Sequence, residues 1–144
     1  MPKATILIVE DSPDISEPLA DAFRFAEFKV LQAYNAVEGL QLASEHRPNL
    51  VLMDIQLPDL DGLSTARTLK EDPATRHIPI VAMTAYDVAG DQARAISRRC
   101  VGYVQKPARP RDLINLISAV LRLRTEPKPS AGSPKDRVAR TSRK

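Results

Sequence analysis

Apolar residues gather in five short runs along this chain, Thr5–Val9, 29–34, 50–53, 80–83 and 101–104, separated by longer stretches of helical period. Runs this short, rich in Val, Ile and Leu, predict strands of a sheet covered on both faces. Between the first two runs, Ile15, Leu19, Ala22, Phe23 and Ala26 share one helical face. Asp14 and Glu17 have capping-box spacing, but Pro18 would then remove the first intrahelical bond. The conflict predicts a start nearer Ser16, with Pro18 in the first turn. Further helices are expected over Ala36–His46, 63–71, 91–99 and 111–123. Pro48 and Pro73 close the second and third, and Gly90 limits the fourth. The last is apolar on a broad face, with Leu113, Leu116, Ile117 and Val120 toward a core and Ile114 and Leu121 beside them.

Strand and helix alternate five times. Such alternation implies right-handed crossovers and an α/β fold built on a parallel sheet. The expected architecture is a flavodoxin-like, doubly wound, five-stranded sheet of order 2-1-3-4-5 with five helices, its ligand site at the switch between strands 1 and 3. Each run is followed by chemistry: Glu10 and Asp11 after the first, Asp54 after the third, Thr84 after the fourth and Lys106 after the fifth. The strand order predicts that these residues meet at one sheet edge.

Charge changes the picture only when divided along the chain. Residues 125–144 hold six basic residues against Glu126 and Asp136, a net of +4. The whole chain carries +3, leaving about −1 for residues 1–124. The basicity therefore belongs to the end of the chain. That segment lacks apolar periodicity and is expected to be a disordered basic tail on a domain covering 4–124. No aromatic residue is interleaved there for base stacking, so no specific nucleic-acid binding is expected. No apolar stretch approaches the ~20 residues of a membrane span. The first strand starts too early to leave room for a signal peptide, and Cys100 stands alone, so a cytoplasmic protein without disulfides is expected.

Carboxylates brought this close repel, by ~4 kcal/mol per pair at 4 Å and an effective dielectric near 20. A hard divalent cation relieves that repulsion, which selects Mg²⁺, with Mn²⁺ able to substitute. A carboxylate beside such an ion can attack phosphorus and form an aspartyl phosphate. The Lys106 ammonium and the Thr84 hydroxyl would then partner the added charge.

The segments Ile6-Leu7-Ile8-Val9-Glu10-Asp11, Leu52-Met53-Asp54-Ile55-Gln56-Leu57-Pro58, Asp61-Gly62, Val81-Ala82-Met83-Thr84-Ala85 and Gly102-Tyr103-Val104-Gln105-Lys106-Pro107 stand in register over about residues 4–124. Together they resemble the CheY-like receiver domain of a two-component response regulator. The resemblance implies that Asp54 is the phosphoacceptor and that Asp11 ligates Mg²⁺ directly. Glu10 would act largely through water, and the Gln56 backbone carbonyl would complete the protein ligands. It further implies that Thr84, with Ala85 after it, receives the phosphoryl group, that Tyr103 follows Thr84 inward, and that Lys106 pairs with the phosphate. The bond from Lys106 to Pro107 would be cis. Tyr86 and Gln56 match positions flanking the phosphate. The turn Arg99-Cys100-Val101-Gly102 is bulkier than the Gly-Ala-x-Gly common in the family, which points to a displaced end of the fourth helix.

The implied partners are a sensor histidine kinase or histidine phosphotransfer protein and a downstream protein reading the face of the fourth helix, fifth strand and fifth helix. The width of the last helix allows a phosphorylation-dependent homodimer. Taken singly, the residues have blander readings: Glu10 and Asp11 as an acidic pair leading a helix, Asp54 as a turn former, Thr84 as a cap, Tyr103 as packing. Asp59 and Asp61 are read as loop formers, and His46 and His77 as surface residues. A dehalogenase-like phosphatase would want an acid where Gln56 stands, and a flavodoxin-like cofactor carrier a Gly-rich loop after the first strand. A phosphorylation-independent interaction module and a phosphate sink or relay intermediate stay open as alternatives.

Overall fold

In the computed structural model, residues 4–85 and 90–125 are described. Five strands alternate with five helices: β1 (Thr5–Val9), α1 (Pro13–Phe25), β2 (Lys29–Ala33), α2 (Ala36–His46), β3 (Leu50–Asp54), α3 (Gly62–Glu71), β4 (Ile80–Thr84), α4 (Gly90–Arg99), β5 (Gly102–Gln105) and α5 (Pro110–Thr125). All four strand pairings are parallel and the order is β2-β1-β3-β4-β5, as the alternation predicts.

The apolar runs lack polar alternation because both sheet faces are covered. Leu7, Val9, Val51, Met53, Ile80 and Ala82 point to one side, against Ala43, Ala66, Leu69 and Ile96. Ile6, Ile8, Leu50, Leu52, Val81 and Met83 point to the other, against Leu19, Phe23, Leu113 and Ile117. Phe23 meets Phe28 edge to face, with ring centroids 5.8 Å apart. Each large side chain fully withdrawn from water contributes about 1.5–3 kcal/mol. The three inner strands, β1, β3 and β4, carry most of the largest fully buried side chains, and they also carry Glu10, Asp54 and Thr84 at or just past their ends.

The start of α1 departs from expectation. The helix begins at Pro13 rather than near Ser16, with Ser12 as its N-cap. Proline suits the first helical position, where the missing N–H has no partner in any case. The Ser12 carbonyl accepts from the Ile15 and Ser16 amides at 3.1 and 2.9 Å. Pro18 is accommodated one turn in because it and Asp14 are both exposed, so water can reach the carbonyl it leaves unpaired. The buried stripe of α1 is Ser16, Leu19, Ala20 and Phe23. Ser16 is tolerated there because its Oγ accepts from Gln32 Nε2 at 2.9 Å. Elsewhere strand and helix ends shift by one or two residues, as frayed ends do.

Helix α4 ends at Arg99, and the bulky turn after it divides its residues: Cys100 is buried against the core while Val101 is half exposed. Burial pushes the Cys100 thiol up from 9.0 to about 11, with Lys70 and Arg99 pulling weakly the other way. The fold thus favours the neutral thiol. That contribution is fully present below about pH 9 and is lost as pH rises toward 11, about 3 kcal/mol at most. Cys100→Ala should accordingly flatten the fall in unfolding free energy between those pH values, measured by urea denaturation. An unchanged alkaline slope would refute this account.

Among the described residues no helix is long and apolar enough to cross a membrane. The expected basic tail, apart from Thr125 at the end of α5, lies outside the described residues, as does Tyr86.

Candidate functional site

The carboxyl ends of β1, β3 and β4 lie side by side at the switch in strand order. Glu10 leaves β1 with its amide bonded to the Ala33 carbonyl of β2 at 3.0 Å. Asp54 closes β3 and Thr84 closes β4. One strand further out, the Lys106 amide donates to the Thr84 carbonyl at 2.7 Å, which anchors the lysine backbone beside β4. Its long side chain then spans two strands inward. The Lys106–Pro107 peptide bond is cis.

Lys106 Nζ stands 2.7 Å from Glu10 Oε1 and 2.9 Å from Asp54 Oδ2. Glu10 and Asp54 are almost wholly buried, and the lysine side chain is 17% exposed. The remaining oxygens are held by local backbone: Glu10 Oε2 accepts from the Ser12 amide at 3.0 Å, and Asp54 Oδ1 from the Gln56 amide at 2.9 Å. Asp11, exposed at the mouth, completes a group in which Glu10, Asp11 and Asp54 each offer a carboxylate oxygen within 4.8 Å of the others.

One ammonium therefore serves two buried carboxylates. Burial pushes the Glu10 carboxyl above its usual range and the Asp54 charge adds to this, with the bonds from Lys106 and Ser12 only partly offsetting them. Burial alone would lower the Lys106 ammonium, but its bonds to Glu10 and Asp54 outweigh that and hold it above its ordinary value. The lysine stays charged, and the pair of acids remains short of positive charge. Such a cluster favours an added cation, and its hard oxygen donors fit Mg²⁺ or a similar ion.

The structure brings together four residues singled out from the sequence: Glu10, Asp11, Asp54 and Lys106. Thr84 is buried one strand over, and Ala85 follows it, exposed. Gln56 is exposed just past Asp54. Tyr103 is half exposed on β5 and does not enter the cluster. His46 and His77 are on the surface, as expected.

The sequence reading missed the contact made by Asp59. Its two carboxylate oxygens accept from the Ala36 and Val37 amides at 2.8 and 3.0 Å, which caps the start of α2 from the loop after β3. Those bonds hold its carboxyl below the usual range. Asp61 caps α3 locally, through Ser64 N at 2.8 Å. The closeness of Gly62 to the end of β3 was also missed. A Cβ there would lie 2.3 Å from Ile55 Cα and 2.5 Å from the Asp54 carbonyl oxygen, so α3 can start this near only with glycine. Asp61-Gly62 was the available signal, but spacing alone does not tell a turn glycine from one in contact.

Comparison with known proteins agrees with this geometry. The family model described as the response regulator receiver domain matches residues 6–118. The polar-differentiation response regulator DivK of Brucella anthropi is 39% identical over 121 residues, covering 84% of this chain and 98% of that protein. The crystal structure of a CheY-like receiver domain protein from Methanospirillum hungatei superposes with a TM-score of 0.77 at 28% identity, over 83% of this chain and 94% of that one. The receiver domain of a sensor histidine kinase from Pseudomonas aeruginosa, solved with a magnesium ion coordinated in its active site cleft, gives 0.76 at 27% identity over 83% and 98%. The chain belongs to the response regulator receiver domain family of two-component signalling.

Proposed function

We propose that Asp54 accepts a phosphoryl group from a phosphohistidine on a sensor histidine kinase or histidine phosphotransfer protein. A carboxylate oxygen of Asp54 forms the new bond to phosphorus as the bond to the histidine nitrogen breaks. The imidazole departs with the electron pair and takes a proton from solvent. The observation that carries this reading is the Lys106 ammonium bridging Glu10 and Asp54 at a buried sheet edge. Such a cation is poised to stay with the acceptor as phosphoryl oxygens arrive.

Mg²⁺, or Mn²⁺ in its place, would be held by the carboxylates of Glu10, Asp11 and Asp54 and by the Gln56 backbone carbonyl, and when bound supplies positive charge to the phosphoryl oxygens. The magnesium ion in the Pseudomonas aeruginosa receiver supports this assignment. Thr84 and Ala85 receive the remaining phosphoryl oxygens, and Tyr103 moves inward from its exposed position. The partner preference of the α4–β5–α5 face changes with it. Energetically this is a two-state equilibrium biased by a local charge event. On this reading residues 4–124 are the receiver unit, residues 125–144 a basic tail, and the chain works in the cytoplasm. It assists its own phosphorylation and dephosphorylation, and its downstream reader is another protein or a second copy of itself.

Intact mass spectrometry after incubation with a small phosphodonor and Mg²⁺ tests the reading. One added phosphoryl group is expected, and none in Asp54→Asn or in a metal-free sample. A blank result that persists with phosphohistidine donors would reject it in favour of an interaction module independent of phosphorylation.

A further inference from the structure

The loop from Ile55 to Asp61 carries Gln56, whose carbonyl is assigned above to the metal. Both ends of this loop are fixed close to the sheet. At its start the Gln56 amide bonds to Asp54 Oδ1 at 2.9 Å, and at its end the Gly62 amide bonds to the Ile55 carbonyl at 2.8 Å. Between them, Pro58, Asp59 and Leu60 lie exposed, and Leu57 is half buried. Asp59 ties this outer part to a different element, giving its two oxygens to the Ala36 and Val37 amides.

Three features make that tie more than a surface bond. The Ala36 and Val37 amides belong to the first turn of α2, whose N–H groups have no partner within the helix. An aspartate suits them, with two acceptor oxygens and a negative charge at the positive end of the helix. Helix α2 also has a local cap, since Asn35 Oδ1 accepts from the Glu38 amide at 2.8 Å, so Asp59 is not needed merely to begin the helix. Finally, α2 is seated firmly. A Cβ on its Gly39 would come within 2.9 Å of a Val9 methyl group, one residue before Glu10. Asp59 therefore fastens the loop to an element fixed on the strand that leads into Glu10 and Asp11.

We propose that Asp59 is a positioning residue for the metal site, holding the loop so that the Gln56 carbonyl faces the carboxylates of Glu10, Asp11 and Asp54. This rests on the reading of that site as a Mg²⁺ site. Asp59 touches no reacting atom. It lowers the freedom the loop would otherwise lose when the ion binds, and so raises affinity by preorganisation.

Calorimetric titration with Mg²⁺ alone tests this on the full chain and three variants. Asp59→Ala should weaken Mg²⁺ binding roughly three- to tenfold, at or below the low end for loss of an outer partner of a metal ligand. Asp59→Asn, which keeps one of the two accepting oxygens, should weaken binding less than Asp59→Ala. Asn35→Ala removes the other cap of α2 without touching the loop, and should leave Mg²⁺ affinity unchanged while lowering stability. Amide hydrogen exchange without metal should speed up at Gln56 and Leu60 in Asp59→Ala but not in Asn35→Ala.

Equal Mg²⁺ affinity in Asp59→Ala and the unaltered chain would overturn the proposal while leaving the metal site intact. Equal weakening by Asp59→Ala and Asn35→Ala would overturn it in favour of general helix stability. Absence of Mg²⁺ binding in the unaltered chain would overturn the metal site and this proposal together.

Discussion

Replacing Lys106 with methionine should lower the melting temperature of the metal-free protein by roughly 10 °C, corresponding to about 3 kcal/mol for a domain of this size. The side-chain length is nearly kept, so the effect isolates the charge. With the ammonium gone, Glu10 and Asp54 face each other buried, each having lost the Lys106 cation. Removing one member of a buried charged cluster typically costs ~3–5 kcal/mol. The low end applies because the Glu10 carboxyl, already raised by burial, can escape part of the cost by taking a proton. Added Mg²⁺ should restore more stability to Lys106→Met than to the unaltered chain at the same concentration. On the proposed site, metal and ammonium would neutralise the same acids, so each would be worth more when the other is absent. Calorimetric melts with and without Mg²⁺ would check both halves. A variant that melts with the unaltered chain would show that the bridging ammonium contributes nothing to the fold.

Gly62→Ala should be similarly disruptive, for a steric reason. The added methyl would stand 2.3 Å from Ile55 Cα and 2.5 Å from the Asp54 carbonyl, where both contacts are backbone. Backbone at the end of a buried central strand has little room to yield, so α3 must move away. That breaks the 2.8 Å bond from the Gly62 amide to the Ile55 carbonyl. A loss near the upper end of the ~1–3 kcal/mol usual for overpacking is expected, together with reduced phosphoryl labelling as Asp54 and Gln56 are displaced. Gly102→Ala is the natural control, because a Cβ there meets nothing within 4 Å. It should shift stability by no more than ~0.5 kcal/mol, as ordinary surface substitutions do. Denaturant unfolding of the two variants side by side decides the matter, and equal midpoints would sink the argument.

The sheet and its edge chemistry were legible because strand order turns sequence position into proximity. Once the order 2-1-3-4-5 follows from five alternations, Glu10 and Asp54 must be neighbours, and Lys106 must approach them from the outside. The start of α1 was less legible. The cost of Pro18 was read as decisive, whereas an exposed Asp14 carbonyl can turn to water. Asp59 shows a different limit. Its bond to Ala36 spans 23 positions and joins a loop to a helix start, and no periodicity encodes such a pairing. Composition marks Asp59 as a loop former, while its partner emerges only from how the loop lies against the start of α2. Tyr103, read from the sequence as strand packing or as the aromatic that follows Thr84 inward, is half exposed on β5.

Among the described residues, strand β5 pairs only with β4, and its residues alternate between half-buried and exposed, while β3 and β4 are buried at every position. This unevenness divides the chain into parts that can drift at different rates. Substitution on β3 or β4 disturbs the core and the acids together, so those strands have little freedom to vary. The exposed position Gln105 of β5 can change without touching Glu10 or Asp54, provided the backbone still delivers Lys106. A lineage of such proteins could therefore acquire new listeners along its outer strand while inheriting the same inner chemistry.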